Sequence, residues 1–244
     1  MANDVLTDEF SVPLGGATTA EINIDAGCGN LTIDRLTDGE RLLASGSLQY
    51  IKKRGAPKRS VTISGDEVSL TLVGDGGRPR FRLPWMGCDV ATEWRVHLNP
   101  RVSCDLAAHS DGGNIKLDLA EMAITRLSAD TGGGNIDVVL PDNAANLEIA
   151  LTTGGGNVAV DVGSGTTGSN TVDAKSGAGN VTVRVPVGIA ARIHATTGLG
   201  KASVDPRFNR IDKNTYQSPD YDGAANKIDI KASSGAGNVI INTK

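Results

Sequence analysis

The chain has 244 residues, with 24 Lys+Arg against 28 Asp+Glu for a net charge of −4; 31 residues are Gly, and three Phe, two Trp and three Tyr are all its aromatics. No apolar run approaches the roughly 20 residues of a membrane-spanning helix, glycine does not recur at every third position as in collagen, and 39% hydrophobic residues at low net charge argue against a disordered chain. A sizeable core is affordable at this length, and it must be built from Val, Ile, Leu and Ala.

Residues 19–34 open the pattern. Ile22 and Ile24 alternate with polar residues up to the turn Gly27-Cys28-Gly29-Asn30, and Leu31 and Ile33 continue beyond it. Residues 40–50 and 60–73 read as further strands, with Val61, Ile63, Val68, Leu70 and Leu72 as the apolar side and Ser64-Gly65-Asp66 as the turn. Between them, residues 51–59 form a basic loop carrying Lys52, Lys53, Arg54, Lys58 and Arg59 around Gly55-Ala56-Pro57. Residues 74–90 are rich in Gly and Pro and hold Arg78, Arg80, Phe81, Arg82 and Trp85, after which Trp94, Val96 and Leu98 alternate with Arg95 and His97.

From residue 105 the chain becomes a regular array. Gly-rich turns recur, each closed by a marker residue: Asn30, Asn114, Asn135, Asn157, Asn180, Lys201 and Asn238. The steps between markers are 84, 21, 22, 23, 21 and 37, so four consecutive steps lie near 22. Period-two segments rich in β-branched residues flank each turn, as in Leu147, Ile149 and Leu151 before one and Val158, Val160 and Val162 after it. A unit of this kind is strand, corner, strand, and it buries its apolar face only by stacking on copies of itself. The organisation expected is one all-β repeat domain over 1–244. It has an irregular N-terminal β region (1–104), regular coils (105–204), an insertion with Phe208, Tyr216 and Tyr221 (205–224) and a closing coil (225–244). The fold expected is a single-stranded β-helix or β-solenoid of coils of about 22 residues. A stack of antiparallel hairpins fits the same strand–turn–strand grammar. At the corners, Gly supplies positive φ without steric cost. The six Asn read as structural corner residues that bond to the coils above and below, in the manner of side-chain ladders.

The segment 20–33, the Thr-Gly-Gly-Gly-Asn units and the ending Ile228-Asp229-Ile230-Lys231-Ala232-Ser233-Ser234-Gly235-Ala236-Gly237-Asn238-Val239 resemble a β-strand-repeat family. It is known as DUF4097, "putative adhesin" or the toastrack group. The resemblance covers nearly the whole chain, although the family more often has Asp or Ser where this chain has Asn. It implies a surface-binding, adhesin-like role and supplies no catalytic residues to transfer.

The residues themselves point the same way. No G-x-S-x-G or phosphate-binding loop occurs. Residues 105–200 contain no aromatic side chain, the usual lining of a sugar groove, and their acids stand singly. His97, Cys104 and His109 fall within 13 positions of one another but without metal-ligand spacing, so no metal or other cofactor is expected. Cys28, Cys88 and Cys104 are odd in number and form no C-x-x-C pair; reduced thiols are expected, with a single Cys88–Cys104 bridge left open. Charge is uneven: residues 35–95 carry 11 basic and 7 acidic side chains, residues 105–175 carry 3 and 10. A field of this shape steers an anionic partner toward the basic loop. Nucleic acid is disfavoured by the overall acidity and by the single neighbouring aromatic, Tyr50. The function expected is a non-catalytic binding or scaffold module with an anionic polymer or protein partner at the basic loop. The alternatives are a carbohydrate-active enzyme and a self-assembling structural protein, and a homo-oligomer fits either. The sequence as given opens without a basic-then-apolar leader, which by default means the cytoplasm, and the cell surface if a leader was removed.

Overall fold

The computed structural model describes residues 4–37, 41–74 and 92–244. The first third holds β1 (Val5–Pro13), β2 (Thr19–Asp25), β3 (Asn30–Arg35), β4 (Leu42–Ile51), β5 (Lys58–Ser64), β6 (Glu67–Val73) and β7 (Glu93–Leu98). The array holds β8 (Ser103–Ser110), β9 (Ile115–Asp118), β10 (Ile124–Thr131), β11 (Ile136–Val139), β12 (Glu148–Thr153), β13 (Val158–Asp161), β14 (Ser169–Ser176), β15 (Val181–Val185), β16 (Ala190–Thr197) and β17 (Ala202–Val204). The end holds β18 (Asn209–Arg210), β19 (Thr215–Gln217), β20 (Lys227–Ser234) and β21 (Val239–Thr243). Among the described residues the one helical element is a 3-10 turn, Lys52–Arg54.

These strands form two large mixed sheets. One runs β1-β4-β7-β3-β9-β11-β13-β15-β21-β17, the other β18-β19-β16-β20-β14-β12-β10-β8-β2-β6-β5. Each Gly corner carries the chain from one sheet to the other, so β10 and β11 flank one corner and lie in opposite sheets. The next copy pairs in parallel on top, as Leu127 on Ile149 and Val138 on Val160. Stacked antiparallel hairpins are therefore not what the array forms. Among the described residues, antiparallel pairs join only strands near the two ends: β1–β4, β4–β7, β5–β6, β16–β19 and β18–β19.

Parallel registration turns the period of two into continuous apolar rows. In one sheet Leu70, Ile22, Leu106, Leu127, Ile149, Val172, Ile230 and Ile193 stand in register, none more than 2% exposed. In the other, Val96, Ile33, Leu117, Val138, Val160, Val183 and Ile241 face them. Each such side chain is worth roughly 1.5–3 kcal/mol when taken out of water.

The order in space departs from the order in sequence. The segment expected to close the stack, 225–244, lies inside it: β20 pairs with both β14 and β16, and β21 with both β15 and β17. The coil at that end is β16–β17, and the insertion covers it with buried Phe208 and Tyr221 and packed Tyr216. At the opposite end β2–β3 sit directly on β8–β9, and β6–β7 add a further coil outside them. The step of 84 residues is thus a detour through β4 to β7 and back.

Two other expectations need correction. Lys58 and Arg59 are not in a loop but on β5. Val61 and Ile63 share the inward side with buried Leu70 and Val68 across the β5–β6 pair, yet they are 39% and 53% exposed, because β5 is an edge strand at the end of the stack.

Candidate functional site

The corners come first, because they account for most of the polar residues singled out by the repeat. The Asn side chains form one line. The Oδ1 of Asn30 accepts the backbone N–H of Asn114 at 2.9 Å, and the same bond runs from Asn114 to Asn135, Asn135 to Asn157, Asn157 to Asn180, Asn180 to Asn238 and Asn238 to Lys201. Their carbonyls are thus committed to the stack. Asn30 begins the line by donating from Nδ2 to Glu93 at 2.7 Å.

A second line lies beneath it that the repeat grammar did not single out. Ser110, Thr131, Thr153, Ser176, Ser234 and Thr197 stand at the end of the strand entering each corner. The last five donate to Gly113, Gly134, Gly156, Gly179 and Gly237 of the neighbouring coil at 2.7–2.9 Å, and Ser110 donates to Gly27 and Gly29. Ser110, Thr131 and Thr153 also accept an N–H from their own corners, from Gly113, Gly134 and Gly156. The signal was present in the sequence as an invariable hydroxyl before the glycines in these six copies.

The glycines themselves are needed for a different reason from the one expected. Gly156 and Gly179 do not have positive φ; among the corner glycines only Gly27 does, at 55°. A Cβ on Gly134, Gly156 or Gly179 would stand 2.0–2.1 Å from the carbonyl oxygen of Gly113, Gly134 or Gly156. Coil backbones approach too closely there for any side chain.

Candidate catalytic groups do not converge. His97 lies on the outer face of one sheet beside Asp34, His109 on the outer face of the other, and Cys104 points inward. Burial pushes the Cys104 thiol up to about 12, so it carries no reactive thiolate. Cys104 is free, which rules out a Cys88–Cys104 bridge, and Cys28 is disulfide-bonded rather than reduced. Cys88, like Arg78, Arg80, Phe81, Arg82 and Trp85, lies outside the described residues. Partial burial opposes charging His109, but hydrogen bonding and charge from Asp130, with help from Asp25 and Asp111, raise its pKa on balance. Among the described residues, no group of three or more His, Cys, Asp or Glu is placed to hold a metal ion. A surface concavity over Ala150 is bordered by Glu148, Asp173, Asp229 and Lys231. Each of its carboxylates has a partner, Glu148 with Arg126 at 3.2 Å, Asp173 through Oδ2 with Lys175 at 2.7 Å and Asp229 with the Tyr221 hydroxyl at 2.7 Å, while Asp173 Oδ1 is buried without a hydrogen bond. Burial and Asp229 hold that phenol up at about 12.

The basic cluster is different. Lys52, Lys53 and Arg54 form the 3-10 turn after β4, ended by Gly55 at φ 89°, and the backbone N–H of Lys52 bonds to Asp4 beside β1 at 2.9 Å. Lys58 and Arg59 begin β5, with the Arg59 guanidinium 5.7 Å from the centre of the Phe10 ring. The fold therefore gathers all five at the β1/β5 end of the stack. Among the described residues none of the five forms an ion pair, whereas outward cations of the coils do. Arg126 sits between Asp105 and Glu148, and Arg184 and Lys244 share Asp161.

Comparison with known proteins agrees with this architecture. Residues 1–161 match the N-terminal domain of toast_rack, DUF2154, and residues 148–241 match the family described as cell wall-active antibiotics response LiaF, C-terminal. No curated protein matches the sequence. Among solved structures, a "putative cell adhesion protein" from Clostridium sporogenes is similar at 20% identity and TM-score 0.66, covering 99% of this chain and 100% of its own. A "putative adhesin" from Bacteroides fragilis aligns at 11% identity and TM-score 0.30, covering 100% of this chain and 98% of its own. The likeness to the clostridial protein is one of fold. Because the first match spans well over half of its length, the chain belongs to the toast_rack N-terminal domain family, DUF2154.

Proposed function

We propose that the chain is a non-catalytic binding module, and that Lys52, Lys53, Arg54, Lys58 and Arg59 are its contact surface for an anionic surface polymer or acidic protein partner. The observation that carries this reading is the gathering of five cations, none in an ion pair among the described residues, at one end of a stack whose coil faces neutralise several of theirs. In this reading the two sheets are the walls of one solenoid-like scaffold, akin to the DUF4097 adhesin-like domains that the corner motifs resemble. The rigid stack holds the cationic end in place. The Cys28 disulfide suits an oxidising setting such as the cell surface. The name of the clostridial neighbour and the cell-wall description of the second family support the same setting.

The test is retention on immobilised polyglutamate and on polyphosphate. The wild-type chain should be held and then released by moderate salt, since exposed charges are screened within about 10 Å at 0.1 M. Replacing all five residues by Gln should abolish retention without lowering the melting temperature. Unchanged retention of that variant would reject the assignment.

A further inference from the structure

The two ends of the stack are finished differently. At the β16–β17 end the insertion lays Phe208 and Tyr221 over the core, and Arg207 ties the cap down by donating to the carbonyls of Pro186 and Val187 at 3.0 and 2.8 Å. At the β1/β5 end each sheet finishes in an edge strand, β1 in one and β5 in the other, without such a cap among the described residues, and the first sheet runs one strand further beyond the β6–β7 coil. Their inward sides reach solvent. Leu6, on the same side of β1 as buried Phe10 and Val12, is 39% exposed, and Val61 and Ile63 of β5 are open as described above. The edges also differ in charge. Residues 4–13 carry Asp4, Asp8 and Glu9 and no base; β5 carries Lys58 and Arg59 and no acid. Among the described residues, Asp4, Asp8 and Glu9 form no ion pair with this chain's own bases.

We propose that the occupant of this end is a second copy of the same chain, docked through a two-fold axis so that β1 of each copy lies along β5 of the other. Charge complementarity selects this arrangement. Setting β1 against β1 would oppose acid to acid, and β5 against β5 base to base, whereas the crossed arrangement puts Asp8 and Glu9 near Lys58 and Arg59 twice over. A two-fold contact is self-complementary by construction. It would cover Leu6, Val61 and Ile63 from both copies and remove two exposed sheet edges from each, which are otherwise open to indiscriminate pairing. This inference rests on the cationic end being an anion-binding surface and names its partner as the acidic β1 edge.

The experiment is sedimentation of the full chain at low and high salt, with two charge-reversed variants, D8K/E9K and K58E/R59E. The wild type should be a dimer that dissociates as salt rises. Each variant alone should be a monomer, since each places like charges at both contacts. An equimolar mixture of the two should dimerise, because each contact then joins opposite charges. Melting curves on the separate variants verify that both are folded. A wild type that is monomeric at every concentration overturns the proposal, as does either variant dimerising alone or the mixture staying monomeric. Polyanion retention separates the two readings. A monomeric wild type that still binds polyglutamate rejects the dimer and leaves the anion-binding surface standing; loss of retention rejects that surface as well.

Discussion

The middle coils and the β1/β5 end are made of the same kind of strand, yet their polar groups are deployed in opposite ways. In the coils, each corner hydroxyl and each corner amide bonds to the next coil, and outward cations such as Arg126 and Arg184 lie against carboxylates on adjacent strands. At the end, five cations and three acids have no such partners among the described residues, and apolar side chains on the inward side of β5 are open. A repeat satisfies most of its polar groups through its neighbour, and the proposed binding surface lies where the neighbours stop. Changes in the coils should therefore be felt as stability, and changes at the end as binding.

The largest effect should come from the closest approach. Gly156→Val places a side chain on the carbonyl of Gly134, and a cost of about 3 kcal/mol or more is expected in denaturant unfolding. Gly133→Ala, one residue away from an equally crowded position, meets nothing within 4 Å and should change stability by less than about 0.5 kcal/mol. Equal costs would refute the coil-contact account of the glycines.

Next in size is Thr153→Val, which keeps the shape but removes the buried hydroxyl that bridges Gly134 and Gly156. About 1–3 kcal/mol should be lost, since both backbone groups are left unmatched. Asn157→Ala should cost less, roughly 0.5–1.5 kcal/mol, because its amide is exposed and water can replace it. If the amide change proves the more damaging of the two, the inner line is not the principal polar support of the corners.

His109 offers a smaller, pH-dependent effect. Its folded pKa is raised above the ordinary value near 6.5 by Asp130, Asp25 and Asp111. The charged imidazolium therefore stabilises the fold. That contribution is fully present below the unfolded pKa and fades as pH rises through the folded one. Melting temperature followed upward from about pH 6 should fall slightly more in the wild type than in His109→Gln. A parallel pair of curves would show that the histidine contributes nothing.

The smallest effect on stability should come from the cationic end. Lys52→Gln with Lys53→Gln should leave unfolding within about 0.5 kcal/mol of wild type while weakening polyanion retention. A marked loss of stability would erase the contrast between coils and end.

Much of this was legible beforehand. The period of two told which side chains of β10 to β15 point inward, because adjacent side chains on a strand must face opposite ways. The step near 22 gave the length of one coil, and the Gly-Asn corners marked where the chain changes sheet. Inward direction proved a weaker guide at β5: Val61 and Ile63 face the same side as Val68 and Leu70, but burial also needs a neighbour, and the stack ends there.

What pattern alone could not decide was which copy lies on which. Parallel stacking and antiparallel hairpins share one local grammar, because alternation records the face of a strand and not its partner. The placement of β20 between β14 and β16, of β21 between β15 and β17, and of β2–β3 against β8–β9 joins segments separated by long insertions, and no local propensity spans that distance. The role of the glycines was hidden for the same reason. Positive φ is a property of one residue, whereas a carbonyl 2.0 Å from an imagined Cβ belongs to another coil. Composition and periodicity determined that these strands would form and which face each would bury; the long-range pairing of the sheets decided the order of the coils, and with it which cations were left facing water.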